Sequence, residues 1–284
     1  MKKKEKSVMR SPLMIAAFIV FALYAFTILF VFFFGVAVSF MTSREAVVGF
    51  LFPQEGLQIK NYLDAWTRIT PLSSNTNLLG MFVNSLWYAG GTAFLGVLYP
   101  SITAYLLAKY KFPGRNALYM YAIVTMMLPI MGAAAPSIKF YRTIGVLDTN
   151  WMIFFLASSF GENFLILYAC FKGMAWEYAE SAFIDGAGHF TVFSRIMLPQ
   201  ARSVMTALFV TGFISRWSDT DTALLFMRTH PTIASGLFEY SIRDAYNIPV
   251  LFAGFVMSAV PIIILFIVFR KTIMDIQLGG GLKG

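Results

Sequence analysis

Long apolar runs free of charge, separated by short polar or basic stretches, dominate the chain. Crossing the roughly 30 Å hydrocarbon core of a bilayer takes about 20 mostly apolar residues. The pattern predicts six such crossings: about Pro12 to Met41, Leu79 to Ala108, Ala117 to Ile138, Asn150 to Phe171, Ser203 to Ser215 with its upstream flank, and Pro249 to Phe269. The fifth is the shortest, because Arg202 and Arg216 bracket it. Each run is predicted to be helical, since a helix satisfies its backbone internally where no water is available, and no ten-residue alternation suggests a barrel. The expected fold class is an all-α polytopic membrane protein with six transmembrane helices. Ala37-Val38-Ser39 resembles a signal-peptide cleavage site, but the run ahead of it far exceeds an h-region of about 7 to 15 residues, which favours a retained helix.

Composition agrees with the bilayer as solvent. Of 284 residues 58% are hydrophobic, 17% aromatic and 13% charged, against about 45–50% apolar and about 25% charged in soluble domains. A soluble fold would carry large exposed apolar patches. The net charge of +8 would suggest nucleic acid in another setting; here the position of each base relative to the membrane matters. With the N-terminus inside, the head (Lys2, Lys3, Lys4, Lys6, Arg10) shares the cytoplasmic side with Lys109, Lys111, Arg115, Lys172, Arg195, Arg202, Arg270, Lys271 and Lys283. That places 14 of the 22 basic residues inside and eight outside, as the positive-inside rule requires. Both termini are expected in the cytoplasm of a multi-pass cell-membrane protein, with lipid as a partner and no nucleic acid. Cys170 alone cannot form an internal disulfide framework, and with only His189 and His230 no zinc site is expected.

The expected organisation is a basic head (1–11), a first span (12–41), an external loop (42–78), a core (79–272) with a structured cytoplasmic segment at 176–199, and a tail (273–284). Ser85, Ala89 and Ala93, with Gly90 and Gly91, give the second span a close-packing face. Glu162, flanked by Gly161 and Asn163, interrupts the fourth run. Such a charge costs roughly 2.5 to 3.5 kcal/mol on insertion scales, within what about six Leu, Ile or Phe residues offset. It is either an acceptor lining a translocation cavity or an interhelical contact, for example to Arg216 or Arg202. Glu162, Asn163 and Trp217 are the candidate substrate-pathway residues. The external stretch after Arg216 mixes Asp219, Asp221, Arg228, Glu239, Arg243 and Asp244 with Trp217, Phe238, Tyr240 and Tyr246, and reads as a binding loop or a solvated connection.

Between the fourth and fifth runs, Glu177 to Ile184 reads as a helix of good formers that Asp185-Gly186 breaks; a second helical stretch follows, and Pro199 marks its boundary. Small residues there permit close approach by a partner, and Phe183, Phe190 and Phe193 offer apolar knobs for the partner or the membrane surface. Glu180-Ser181-Ala182, Asp185-Gly186-Ala187 and Ile196-Met197-Leu198-Pro199 resemble the EAA motif in membrane subunits of type I ABC importers, with Ser181 where Ala is usual. Asn84-Ser85-Leu86, Phe112-Pro113-Gly114, Gly145-Val146-Leu147-Asp148-Thr149 and the tail ending Gly-Leu-Lys-Gly resemble the maltose-type carbohydrate branch.

The resemblance implies a coupling helix seated in a cleft of a cytoplasmic ATP-binding subunit. Two copies of that subunit, carrying ATP and Mg, would drive alternating access. Glu180 would pair with a basic residue of the ATPase, Gly186 would make the turn, Ala182 and Ala187 would allow close approach, and Pro199 would set the entry to the fifth span. The chain has no G-x-x-x-x-G-K-[ST] loop, so the resemblance implies no cofactor and no catalysis of its own. It further implies a second permease subunit, and an external solute-binding protein touching Pro231 to Tyr240, with Pro231, Phe238 and Tyr240 as the contact residues. A secondary transporter remains an alternative, as does an ABC permease for amino acids or phosphate; a membrane enzyme lacks clustered His, Cys or paired carboxylates.

Overall fold

The computed structural model describes residues 12–128, 132–244 and 246–279, with side chains up to Lys271. The basic head and the end of the tail, used above for topology and resemblance, lie outside the described residues. Among those described, every regular element is helical. The chain divides into two compact units, one formed by residues up to 69 with 240–257, the other by 70–239 with residues from 258 onward.

In the first unit α1 (Pro12–Ser39) exposes apolar side chains along almost its whole length and buries only Val38 and Ser39. Such a helix is stable when lipid, not water, surrounds it. Its end is fastened by Asn61, whose Nδ2 donates to the Ser39 and Met41 carbonyls at 2.9 and 2.8 Å, and by Tyr62, whose hydroxyl lies 2.7 Å from Ser39 Oγ. Thr42 and Glu45 form a capping box on α2 (Ser43–Val48), and the Glu45 carboxylate also accepts the Gln54 and Glu55 amides. The Thr42 amide, aided by these donors, holds the Glu45 carboxyl below the ordinary carboxylate range despite its burial. α3 (Lys60–Arg68) follows.

The second unit is organised around α4 (Leu78–Lys109). α4 packs along α8 (Glu162–Gly173) and α10 (Arg202–Trp217). Its predicted small-residue face is buried at Ser85, Ala89 and Ala93, and a Cβ on Gly212 of α10 would sit 3.6 Å from that of Ala93. Close helix approach explains the small residues. Between α4 and α8 come α5 (Arg115–Met127), α6 (Ala134–Thr143) and α7 (Met152–Leu156). After α8 come α9 (Glu177–Ile184), a π-helical turn over Val192–Met197, and α10; α11 (Asp221–Phe226), α12 (Ile233–Arg243) and α13 (Ile248–Gly279) complete the chain.

Among the described residues, three helices are long and apolar enough to cross a membrane by themselves: Pro12–Ser39, Leu78–Lys109 and Ile248–Lys271. The third and fourth predicted runs are each two helices rather than one. In the third, α5 stops at Met127 and Gly132 takes φ +74° before α6 begins. In the fourth, Ala157 to Gly161 is non-helical. Glu162 therefore opens a helix instead of interrupting one. α10, with 16 residues, reaches about 24 Å.

Candidate functional site

The break ahead of α8 is built by residues that prefer local hydrogen bonds to helix continuation. Ser158 Oγ donates to the Phe160 carbonyl at 2.6 Å and accepts the Phe160 amide at 3.2 Å. Gly161 has φ +154° and ψ −168°, a conformation essentially reserved for glycine. The freed groups find partners on α4, where Thr103 Oγ1 donates to the Ser159 carbonyl at 3.0 Å.

α4 has its own vacancy to fill. Pro100, inside this helix, has no N–H, so the Gly96 carbonyl loses its helical donor. Asn163 Nδ2 donates to that carbonyl at 2.9 Å. The second residue of α8 thereby supplies the bond that Pro100 withholds, and the two helices lock at one point.

Between them opens a cavity of about 440 Å³, whose wall includes Pro100, Ser158, Glu162, Asn163, Thr211 and Arg216. Among the described residues Glu162 makes no hydrogen bond or ion pair to another side chain. Arg216 instead meets Asp219 at 3.0 Å, and Asp219 also accepts the Tyr88 hydroxyl at 2.8 Å and the Thr222 amide at 3.0 Å. Burial would raise the Asp219 carboxyl, but the Thr222, Tyr88 and Arg216 donors outweigh it and hold it below the usual range. Glu162, Asn163 and Arg216 thus share one cavity. Trp217 does not join them: its ring is buried against Phe213 and Phe82, and Nε1 donates to the Ser258 carbonyl at 3.0 Å. An indole among aromatics needs one acceptor, and that carbonyl provides it. The Asn163–Gly96 bond and the Arg216–Asp219–Tyr88 cluster escaped sequence reasoning; a proline four residues after Gly96 inside an apolar run was the available signal.

At the other end of α8, the elbow is pinned to the core by one face. Tyr105 of α4 packs on Phe171 and Phe193, with ring centroids 5.6 and 4.9 Å away. Phe183 packs at a tilt against Trp176 and His189, and His189 Nδ1 lies 2.9 Å from the Tyr110 hydroxyl. Phe183 and Phe193 are therefore internal anchors, not free knobs, while Phe190 is 78% exposed.

The turn after α9 caps itself. Gly186 at φ +83° lets its own amide reach the Phe183 carbonyl at 3.0 Å and the Ala187 amide reach the Ala182 carbonyl at 2.9 Å, the bond pair of a Schellman motif. Glu180, Ser181, Asp185 and Gly186 face outward, Ala182 and Ala187 are half-buried, and Ala179 is buried. Pro199 is exposed on the rim of an apolar cavity of about 670 Å³ shared with Leu198, Arg202 and Phe269.

The stretch after α10 is more ordered than a solvated loop. Asn84 Nδ2 donates to the Pro231 carbonyl at 3.1 Å, and the Ile233 amide donates to Ser85 Oγ at 2.7 Å. Two residues of the Asn84-Ser85-Leu86 motif therefore hold a strap against α4. A Cβ on Gly236 would run into Met81. Asp148, at φ +62°, ties the Gly145–Thr149 motif to the same stretch, its amide donating to the Phe226 carbonyl at 2.9 Å and its carboxylate accepting the Thr229 amide at 2.8 Å. Of the three expected contact residues, Phe238 is exposed, whereas Pro231 is buried in the strap and Tyr240 is buried in the first unit beneath the Arg243 guanidinium.

Residues 96–276 match the family described as binding-protein-dependent transport system inner membrane component. The diacetylchitobiose uptake system permease protein of Streptomyces coelicolor is 28% identical over 222 residues, covering 76% of this chain and 71% of that protein. The maltodextrin transport system permease protein of Bacillus subtilis is 26% identical over 231 residues, covering 79% and 83%. In fold, the chain resembles a subunit in the crystal structure of a bacterial ABC transporter that imports the acidic polysaccharide alginate, with a TM-score of 0.77 at 17% identity over 95% of this chain and 98% of that one.

Proposed function

This chain belongs to the family of binding-protein-dependent transport system inner membrane components, and from that premise we propose that it is a membrane-spanning subunit of an ATP-driven importer of oligosaccharides. The carrying observation is the elbow: an outward face of Glu180, Ser181, Asp185 and Gly186 on a short helix whose other side is anchored to the core. A rigid exposed helix of this kind transmits force only if a partner grips it. The partner is a cytoplasmic ATP-binding subunit, present in two copies with ATP and Mg. The chain itself performs no hydrolysis.

The carbohydrate cargo is supported by the relatives, which include permeases for diacetylchitobiose, maltodextrin and arabinooligosaccharides. In the topology we favour, α1, α4, α5 with α6, α7 with α8, α10 and α13 make six crossings, with both termini in the cytoplasm. α8 has 12 residues, about 18 Å, so Glu162 sits that far above the elbow, near mid-depth of a roughly 30 Å core. The cavity at Glu162 and Asn163 is then on the cargo path. An external solute-binding protein, such as accompanies the alginate importer, delivers cargo near the strap and Phe238, and a second permease subunit completes the path.

The test is uptake together with co-purification. Glu180→Lys is expected to abolish binding-protein-dependent uptake and to lose the ATPase on purification, while the chain still inserts. Normal uptake by this variant, or a purified wild-type complex without any ATPase, overturns the proposal.

A further inference from the structure

The cavity at the head of α8 has a chemical bias that bears on which saccharides pass. Its fixed charges do not cancel. Arg216 is already neutralised by Asp219 at 3.0 Å, which leaves the Glu162 carboxylate as the one uncompensated charge on the described wall. The N-terminus of α8 would otherwise present a partial positive charge to an anion, but Glu162 occupies its first position and offsets that field.

The hydrogen-bonding inventory points the same way. Thr92 Oγ1 donates to the Tyr88 carbonyl, Thr211 Oγ1 to that of Ala207 and Ser158 Oγ to that of Phe160. Asn163 commits one amide proton to Gly96. These groups face a ligand mainly with lone pairs, and a carboxylate has only acceptors. Apart from the Arg216 guanidinium, held at one nitrogen by Asp219, acceptors dominate this wall, and acceptors recognise donors: hydroxyl groups or an ammonium group. A carboxylated sugar meets like charge in the cavity, where repulsion is screened less than in open water.

We propose that Glu162 sets the charge class of the cargo, admitting neutral or amino-bearing oligosaccharides and rejecting those that carry uronic acids. The inference rests on the reading of the chain as an oligosaccharide permease. It also separates this chain from the alginate importer whose fold it shares: the same architecture would serve cargo of opposite electrostatic demand.

The test uses proteoliposomes holding the complete complex, with the solute-binding protein outside. Radiolabelled neutral di- and trisaccharides, and the same sugars oxidised at C6 to uronates, are supplied to wild type, Glu162→Gln and Glu162→Lys. The readout is the uronate-to-neutral uptake ratio of each variant divided by that of wild type, which cancels the preference of the shared binding protein. Glu162→Gln is isosteric and removes no partner, so folding is preserved. It is expected to raise the ratio about tenfold, and Glu162→Lys further. A quotient near one in both variants, or no uronate uptake by any of them, overturns this inference while neutral uptake leaves the oligosaccharide reading standing. Absence of uptake of every sugar by wild type overturns that reading and this inference with it.

Discussion

The break ahead of α8 and the turn after α9 are two solutions to the same problem, a helix that must stop. In the break Gly161 takes φ +154°, and in the turn Gly186 takes φ +83°. The difference lies in where the interrupted backbone finds partners. Ahead of α8, the neighbouring helix supplies them, through Thr103 to Ser159, and α8 repays it through Asn163 to Gly96. In the elbow, the turn satisfies itself through the Gly186 and Ala187 amides. A break that borrows from its neighbour fixes two helices together and faces inward; a break that closes on itself leaves an outer face free for another protein.

The largest expected effect comes from that free face. Glu180→Lys places a cation where the proposed partner offers one, and truncating or reversing a buried interfacial charge costs about 2 to 5 kcal/mol. Uptake is expected to fall about 100-fold or more, with thermal stability of the isolated chain unchanged because Glu180 is exposed. Equal loss of stability and uptake would make the elbow a structural feature and erase the contrast with the inward break.

Gly161→Ala acts on the inward break. Nothing lies within 4 Å of a Cβ built there, so the whole cost is backbone strain, up to about 3 kcal/mol. A lowered midpoint of unfolding in detergent is the expected reading, and an unchanged midpoint would mean that the break tolerates other conformations. Asn163→Leu is expected to cost about 2 kcal/mol by orphaning the Gly96 carbonyl. In a Pro100→Ala background the restored N–H can serve that carbonyl, and the cost of Asn163→Leu should drop below about 1 kcal/mol. Equal costs in both backgrounds would show that the two residues are not coupled.

These regions also differ in how far the chain's residues announced them. The elbow was legible because its signals are local: good helix formers, Asp185-Gly186, and a motif spaced over a few turns. α1, α4 and α13 were legible because apolar residues run unbroken. The inward break was not, since Ser158, Ser159 and Gly161 hardly lower the apolarity of the run from Asn150 to Phe171. Hydropathy counts side chains, whereas this break is held by the local bonds of Ser158 to Phe160 and by a bond between residues 67 apart, Asn163 and Gly96. Trp217 and Tyr240 misled for a related reason. Aromatics in a polar stretch suggest a surface for a partner, but both rings are buried, and Trp217 meets Phe82 and Ser258 of other helices.

The smallest effect is the sharpest test of a self-contained turn. Gly186→Ala meets no neighbouring atom, since nothing lies within 4 Å of its Cβ, so only the left-handed backbone resists it, at about 1 kcal/mol. Gly186→Asn should cost less, because asparagine visits this region more readily than alanine does. If the turn serves only the fold, uptake should follow stability, with Asn nearer to wild type than Ala. If Gly186 also lies against the ATPase, both side chains obstruct docking, and the larger Asn should then transport no better than Ala despite its smaller cost in stability. Unfolding midpoints and uptake rates measured on both variants separate the two outcomes, because steric exclusion ranks them in the opposite order to backbone strain.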